Sequence, residues 1–101
     1  MMHVRVWKFR PPQKSEAAFV AAYSAGGRWA QLFGRGKGYR GTSLLLPGDP
    51  NGWWLTIDRW DSFADFQTFD REFGVQYRAL DAELEGISGE EEFVGAFEEN
   101  A

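Results

Sequence analysis

Residues 53–87, WWLTIDRWDSFADFQTFDREFGVQYRALDAELEGI, contain the two patterns that decide the fold of this chain. The first eight residues alternate between two faces and are rich in Trp, Leu, Ile and Thr, which predicts a β-strand over residues 53–60. Asp61 and Ser62 then supply helix N-cap chemistry. Beyond them, apolar residues recur at spacings of three or four, which predicts one long amphipathic helix with a kink at Gly74. These apolar residues are Phe63, Phe66, Phe69, Phe73, Tyr77, Leu80, Leu84 and Ile87.

The residues upstream predict two further strands. Residues 39–46 alternate in the same way, and the turn sequence PGDPNG of residues 47–52 joins them to the strand just described, so the pair should form a hairpin. Residues 3–10 predict another strand. It should end at Pro11 and Pro12, because proline has no N–H to donate to a strand ladder.

Helical and strand patterns occupy the remaining sequence. Ser15 is a candidate N-cap for a first helix that carries Phe19 and Tyr23 on one face and ends at a pair of glycines. Residues 28–33 then predict a short helical turn, and residues 91–98 predict a last strand. The resulting order of elements is β-α-β-β-α-β.

This order is that of the split βαβ, or ferredoxin-like, fold, an α+β architecture. It requires a four-stranded antiparallel sheet with the first strand in a central position, the fourth strand beside it and both helices on one face. The charges support this arrangement, because residues 1–40 carry a net +7 and residues 41–101 a net −11. Glutamates of residues 90–92 and Glu98 would pair with the basic first strand. The whole chain, residues 1–101, is expected to form one domain.

Neither face of the predicted sheet has the polar character of a solvated surface. One layer of helices covers only one face, so the other is expected to pack on a second copy of the chain. We therefore predict a homodimer in which sheet meets sheet. On strand one, the apolar residues are Val4 and Val6 on one face and Trp7 and Phe9 on the other. On strand three, they are Trp53, Leu55 and Ile57 on one face and Trp54 and Trp60 on the other.

Composition excludes several classes of function. The chain has no Cys and a single histidine, His3, which excludes thiolate sites and leaves no histidine cluster for a metal. The net charge of −4 argues against nucleic-acid binding, which depends on Lys and Arg contacts with phosphates. No apolar run approaches the ~20 residues of a membrane span, and the first ten residues do not form a signal peptide. We expect a soluble, unprocessed, cytoplasmic protein with no membrane partner.

Two short motifs are better explained by structure than by function. Gly36, Gly38 and Gly41 match the dinucleotide-binding pattern G-x-G-x-x-G, but that motif follows a strand and opens a helix, whereas here a helical turn precedes and a strand follows. Lys37 to Tyr39 resemble the start of an RNA-recognition motif, but the next residues depart from it and lie on the wrong strand. No cofactor and no nucleic acid is predicted from them.

Four side chains are candidates for proton-transfer chemistry. Tyr77 lies in the apolar stripe of the long helix, so its phenol points at the sheet, as a core residue or as a proton donor in a cavity. Asp58 shares a face with Thr56 and Trp60, where its pKa would be raised if it were unpaired. Arg5, on an adjacent strand, is its expected ion-pair partner, and a structural pair is favoured over a catalytic one. His3 is expected to be a surface residue rather than a general base.

Aromatic side chains are the candidate ligand-binding surface. The chain contains five Trp in 101 residues. Trp7, Trp54 and Trp60 either fill the core or line a slot for a flat ligand, and the slot is the favoured interpretation. Phe69 and Phe73 of the long helix are included with them as predicted substrate-binding residues.

Three segments give the chain a family likeness. WKFRPPQKSEAAFVAAY (7–23), GRWAQLFGRGKGYRGTSLLL (27–46) and above all WLTIDRWDSFADF (54–66) resemble the antibiotic biosynthesis monooxygenase family of the dimeric α+β barrel superfamily. The resemblance covers nearly the whole chain. It implies a homodimer with facing sheets and a small-molecule pocket between each sheet and its own helices. It also implies a cofactor-free monooxygenase that uses dioxygen to oxidise electron-rich aromatics such as anthrones and quinols.

In such chemistry the deprotonated substrate supplies the electrons, so the protein needs an aromatic pocket and groups that accept a proton and stabilise an oxyanion. Tyr77, Arg5 and Asp58 or His3 could fill those roles, although none of them matches a shared family motif. Trp60 does match the tryptophan that ends strand three in the family. The alternative is a non-catalytic dimer that binds a flat hydrophobic ligand in the same pocket.

A second branch of the same superfamily degrades haem. It uses an Asn on strand one and, on the second helix, a Trp and an axial His. This chain has Arg5 or Val6 at the first position, Phe69 at the second and about Ala79 at the third. Haem turnover is therefore not expected.

Overall fold

The computed structural model describes residues 1–100 and has the predicted order of elements. The strands are β1 (Met2–Arg10), β2 (Tyr39–Leu45), β3 (Trp54–Trp60) and β4 (Glu90–Glu99). The helices are α1 (Glu16–Tyr23), α2 (Arg28–Phe33) and α3 (Phe63–Ser88), and a single 3-10 turn, Gln13–Ser15, precedes α1.

The four strands form one antiparallel sheet in the order β2-β3-β1-β4, so the ferredoxin-like prediction is confirmed. Central β1 places Arg5 opposite Asp58 of β3 and opposite Ala96 of β4. The predicted pairing of opposite charges is also present, with Lys8 Nζ 3.3 Å from a Glu92 carboxylate oxygen. This pair is exposed, so its effect is to favour the register rather than to add much stability.

The two predicted helix N-caps behave differently. The Ser62 hydroxyl accepts a hydrogen bond from the Asp65 backbone N–H at 3.1 Å, as the sequence predicted for the start of α3. Ser15 occupies the N-cap position of α1, as predicted, but its side chain makes no capping hydrogen bond. Its backbone instead closes the 3-10 turn by donating to the Pro12 carbonyl at 2.9 Å. The kink in α3 lies at Phe73, whose φ is −116° and ψ is 17°, one residue before the predicted glycine.

The core lies between the helices and one face of the sheet, which we call the inner face. Side chains of β1 at odd positions and of β3 at even positions point to it. Phe19 of α1, Trp60 of β3 and Phe69 of α3 are almost completely buried, at 0%, 0% and 1% exposure. The three helices therefore shield this face, and the polar inner-face residues among them are the candidates for chemistry.

The opposite, outer face of the sheet is apolar at its centre and carries ion pairs towards its two ends, and no helix of residues 1–100 covers it. Val6, Leu55 and Ile57 are half-buried there by their neighbours alone, and Leu45 and Phe97 are 44% and 51% exposed. Within residues 1–100, none of the helices has the length and apolar character needed to cross a membrane.

Candidate functional site

A cavity of about 240 Å³ lies between the inner face of the sheet and the helices. This is the place that the family likeness implied for a small-molecule pocket. Aromatic rings form most of its wall and come from β1, α1, α2 and α3. They are Trp7, Phe9, Tyr23, Trp29, Phe33 and Tyr77.

These rings pack on one another, which fixes the shape of the wall. The centroids of Trp29 and Tyr77 are 4.9 Å apart, and those of Phe9 and Tyr23 are 5.0 Å apart. Trp29 is buried, and its indole N–H has no hydrogen-bond partner among the described residues. Burial raises the pKa of the Tyr23 phenol, and the nearby polar groups of Trp29 and Ser88 oppose this rise in part.

The polar part of the wall is acidic. It consists of Thr42 of β2, Thr56 and Asp58 of β3, Asp81 of α3 and Glu91 of β4. No Lys, Arg or His side chain is among the residues that line the cavity. Across residues 1–100, acidic and histidine side chains do not gather in threes in a way that could hold a metal ion.

Asp58 is the most perturbed of these groups. It is 7% exposed, and its Oδ1 accepts a hydrogen bond from the Thr42 hydroxyl at 2.6 Å. Burial raises the pKa of the Asp58 carboxyl to about 6, against the opposing effects of the Thr42 hydrogen bond and the positive charge of Arg5. Near neutral pH the carboxyl is therefore mostly ionised, yet far more basic than an ordinary aspartate. These are the properties of a general base.

Tyr77 faces the same cavity from α3. Burial raises the pKa of its phenol to about 12, and the nearby carboxylates of Asp81 and Asp58 act in the same direction. The phenol consequently stays protonated at any physiological pH and can donate a hydrogen bond to an oxygen of a ligand. Trp29 packs against its ring and holds it in place.

Asp81 and Glu91 form a second acidic region of the cavity. Burial, followed by repulsion from Asp81 and Glu85, raises the pKa of Glu91. Because the wall carries three carboxyl groups and no cation, it disfavours a ligand with a carboxylate of its own.

Arg5 does not form the predicted ion pair with Asp58. The two are cross-strand neighbours, but the Arg5 guanidinium turns away from the cavity, over the Phe66 ring at 3.9 Å and towards the Phe93 ring at 4.8 Å. Its Nη1 lies 3.5 Å from His3 Nε2. The Arg5 guanidinium therefore contacts two aromatic rings and an imidazole instead of the Asp58 carboxylate, and it influences Asp58 only through its charge.

His3 is buried at 4% exposure, so the predicted surface position was wrong. Its ring lies 5.1 Å from that of Phe63, under the first turn of α3. Burial, followed by the positive charge of Arg5, lowers the pKa of His3, which favours the neutral imidazole. It is a core histidine outside the cavity.

Of the five predicted substrate-binding aromatics, only Trp7 lines the cavity. The Trp54 ring packs against Phe19 of α1, with ring centroids 5.4 Å apart, and the Trp60 ring packs on Phe69, with ring centroids 5.2 Å apart. Phe69 is itself core, and Phe73 stacks on it at 5.4 Å. None of these four side chains lines the cavity, so the structure does not bring them into this site.

Sequence reasoning missed most of the cavity wall. Asp81 could have been found, because it lies one helical turn after Tyr77 and shares its face. Glu91 can be assigned to the cavity only from the pairing of β4 with β1, which places it opposite Phe9. Thr42 required the register of the hairpin, which places it opposite Asp58. The other missed residues are Phe9, Tyr23, Trp29, Phe33 and Thr56.

No protein-family model and no curated protein matches the chain. Among solved structures it is similar to SnoaB, a cofactor-independent oxygenase from Streptomyces nogalater. A variant of SnoaB with one substitution is 21% identical at a TM-score of 0.69, over 99% of this chain and 94% of that one. A second SnoaB structure is 20% identical at a TM-score of 0.64, over 99% and 92%. The similarity covers nearly the whole chain and concerns the fold alone.

Proposed function

We propose that this protein is a cofactor-independent monooxygenase that oxidises a small, electron-rich aromatic of the anthrone or quinol type with dioxygen, and that it is a diverged relative of the antibiotic biosynthesis monooxygenases. The observation that carries the proposal is Asp58, a buried carboxyl with a pKa of about 6 in the wall of an aromatic cavity. Fold similarity to a cofactor-independent oxygenase supports it. The absence of Cys fits the cytoplasm, which we propose as its compartment.

In the proposed reaction, Asp58 takes a proton from the methylene carbon of an anthrone. The phenol of Tyr77 donates a hydrogen bond to the oxygen on which the negative charge develops. The electron-rich enolate then passes electrons to dioxygen, and a carbon–oxygen bond forms. Loss of water leaves a carbonyl, so one oxygen atom enters the product, the other becomes water, and the four electrons come from the substrate carbon.

The acidic wall narrows the proposed substrate to neutral phenolic compounds. The hydroxyl groups of such a ligand can donate hydrogen bonds to Asp81 and Glu91, whereas the carboxylate of an analogue would be repelled by these like charges. Aromatic rings on both sides of the cavity suit a flat molecule. The cavity volume of about 240 Å³ requires a compact one.

Oxygen uptake tests the proposal. Purified protein is mixed with 1,8-dihydroxy-9-anthrone and with simple hydroquinones, beside buffer and heat-denatured controls. We expect protein-dependent uptake, which Asp58→Asn abolishes and Asp49→Asn, in the exposed turn between β2 and β3, leaves unchanged. Quenching of tryptophan fluorescence without uptake would support the alternative, a non-catalytic protein that binds a flat hydrophobic ligand.

We also propose that the outer face of the sheet pairs with the same face of a second copy. The support is the apolar row of Val6, Leu55 and Ile57 with exposed Phe97 beside it, on a face that no described helix covers. Ile57→Asp should then convert the dimer to a monomer in light scattering, whereas Val75→Asp, on an exposed helix position, should not. A monomeric unmodified protein at micromolar concentration would contradict this proposal.

A further inference from the structure

We propose that the hydroxyl groups of Thr42 and Tyr39 form a proton relay that leads from Asp58 at the cavity to the edge of the sheet. The inference rests on the proposed function, since it needs Asp58 to take a proton from a ligand. It assigns a role to two hydroxyl side chains that take no part in the reaction steps proposed above.

The relay consists of three oxygen atoms in hydrogen-bond contact. Thr42 Oγ1 lies 2.6 Å from Asp58 Oδ1, and the Tyr39 hydroxyl oxygen lies 2.5 Å from Thr42 Oγ1. A threonine hydroxyl has one proton, and a carboxylate can only accept, so Thr42 donates to Asp58. Tyr39 must therefore donate to Thr42. Both hydroxyl protons point towards the carboxylate along one continuous chain.

The last residue of the chain is less buried than the other two. Asp58 and Thr42 are 7% and 8% exposed, whereas Tyr39 is half-buried at the start of β2, which is an edge strand of the sheet. The Tyr39 ring is held by packing on Trp60 at 5.3 Å and on Phe33 at 5.7 Å. The relay is consequently anchored at both ends and does not depend on a mobile loop.

A ligand in the cavity makes such a route useful. It covers the side of Asp58 that faces the cavity, so a proton taken from the ligand cannot leave by that side. The charged or titratable neighbours of Asp58 are Arg5 from β1 and Tyr77 from α3, besides Tyr39. Arg5 is occupied by His3 and two phenylalanine rings, and neither it nor Tyr77 is hydrogen-bonded to the carboxylate.

Proton transfer along the chain is balanced at each oxygen. Once Asp58 is protonated, the two hydroxyls rotate so that Thr42 accepts from the carboxyl and donates to Tyr39, and Tyr39 donates to water. The Asp58 carboxyl then passes its proton to Thr42 Oγ1, the Thr42 hydroxyl passes its own to the Tyr39 oxygen, and Tyr39 releases its proton to water. Each protein oxygen gains one proton and loses one, so the net result is one proton moved from ligand to solvent. The reverse sequence returns a solvent proton to Asp58.

Hydrogen exchange under anaerobic conditions tests the relay without requiring oxygenation. The wild-type protein in D₂O is expected to catalyse exchange of the methylene protons of 1,8-dihydroxy-9-anthrone, followed by NMR. Tyr39→Phe keeps the Thr42–Asp58 hydrogen bond but interrupts the chain, so the proton on Asp58 returns to the same carbon. Exchange should slow by about tenfold or more in Tyr39→Phe and Thr42→Val, and remain near the wild-type rate in Thr42→Ser.

Three controls separate a relay from a merely structural role. Ser43→Ala removes a hydroxyl from the outer face of the same strand, where it accepts a hydrogen bond from Arg59, and should exchange at the wild-type rate. Anthrone affinity, from tryptophan fluorescence, should be unchanged in Tyr39→Phe. Melting curves identify a variant that fails to fold, and either Tyr39→Phe or Thr42→Val alone suffices for the decision.

The outcomes distinguish this inference from the proposed function. Equal exchange in Tyr39→Phe and the wild type would overturn the relay and leave Asp58 as the base. Exchange that depends on Tyr39 without any oxygen uptake would support the relay and overturn the oxygenase proposal. No exchange in the wild type would remove Asp58 as a base and the relay with it.

Discussion

Replacing Asp58 by Asn should stabilise the folded protein near neutral pH while it abolishes turnover. Burial raises the pKa of this carboxyl from 3.8 to about 6, and each pKa unit corresponds to about 1.36 kcal/mol. The ionised carboxylate therefore costs the folded state ~3 kcal/mol near neutral pH. Asn cannot ionise, so the variant does not carry this cost.

The dependence on pH is more diagnostic than the stability at any one pH. Because the folded state binds this proton more tightly than the unfolded chain, the stability contribution of Asp58 falls as pH rises from about 4 to about 6 and is constant above that range. The cost of the carboxylate is ~1 kcal/mol near pH 4.5 and ~3 kcal/mol near pH 7.5. The advantage of Asn over Asp should thus grow by ~2 kcal/mol between these two conditions.

The Asn amide also changes the stability of the folded state, by the same amount at both pH values. Asn keeps an oxygen that accepts from Thr42, but it buries an amide N–H₂ without a partner, at a cost of ~1–3 kcal/mol. With a middle value of ~2 kcal/mol, Asn is stabilising by ~1 kcal/mol near pH 7.5 and destabilising by ~1 kcal/mol near pH 4.5. The expected change at neutral pH corresponds to a rise of ~4–8 °C in Tm.

Urea unfolding followed by tryptophan fluorescence measures this effect at the two pH values. Protein concentration is held constant, because association would otherwise change the apparent stability. Asp49→Asn in the exposed turn serves as the control and should show no such pH-dependent difference. If Asp58→Asn differs from the wild type by the same free energy of unfolding at both pH values, the carboxyl is not desolvated in the way described, and the argument for a general base fails with it.

Three further predictions concern the cavity and the fold. Tyr77→Phe should lower kcat by ~100-fold while KM changes little, because the phenol acts on the developing oxyanion; equal activity in steady-state oxygen uptake would exclude that role. Asp81→Asn should strengthen binding of an anthraquinone carboxylate about tenfold relative to a neutral anthraquinone in fluorescence titrations, and an unchanged ratio would contradict the charge-based selectivity. Phe19→Ala should lower the free energy of unfolding by ~3–5 kcal/mol in urea, since the side chain is 0% exposed and covers Trp54; a loss below about 1 kcal/mol would contradict that packing.

A buried ionised carboxylate at the centre of the sheet is a local compromise between stability and chemistry. Among residues 1–100, Thr42 supplies the one side-chain hydrogen bond that the carboxylate accepts, and Arg5 acts on it only at a distance. A closer cation would lower the pKa of Asp58 and make it a weaker base. With the Arg5 guanidinium over the Phe66 ring, the pKa of Asp58 stays raised.

The fold was largely predictable from the sequence because its signals are local. Alternation in residues 53–60 and the helical spacing from Phe63 to Ile87 each report on neighbours a few residues apart, and both were confirmed. Ser62 was recognised as a helix cap for the same reason, since its partner Asp65 lies three residues away. Ser15 had the same residue type in the same position, but the 3-10 turn before it changed its backbone geometry.

The site was less predictable because its members are distant in sequence. Parity along β1 and β3 correctly placed Trp7, Asp58 and Trp60 on one face of the sheet, but parity cannot tell which part of that face a helix will cover. Phe69 of α3 covers Trp60, whereas Trp7 remains at the cavity. The same limit explains the incorrect pairing of Asp58 with Arg5, which are indeed cross-strand neighbours.

The sequence by itself determined the order of the elements, which residues of each strand share a face, and the presence of a carboxyl among aromatic residues. These follow from periodicity, which depends only on the local geometry of strand and helix. Only the tertiary structure decided that Thr42, rather than Arg5, bonds to Asp58, and that Tyr39 continues the chain of hydrogen bonds. The reason is that a side chain selects its partner from everything within its reach, and that set exists only after the strands have paired and the helices have packed.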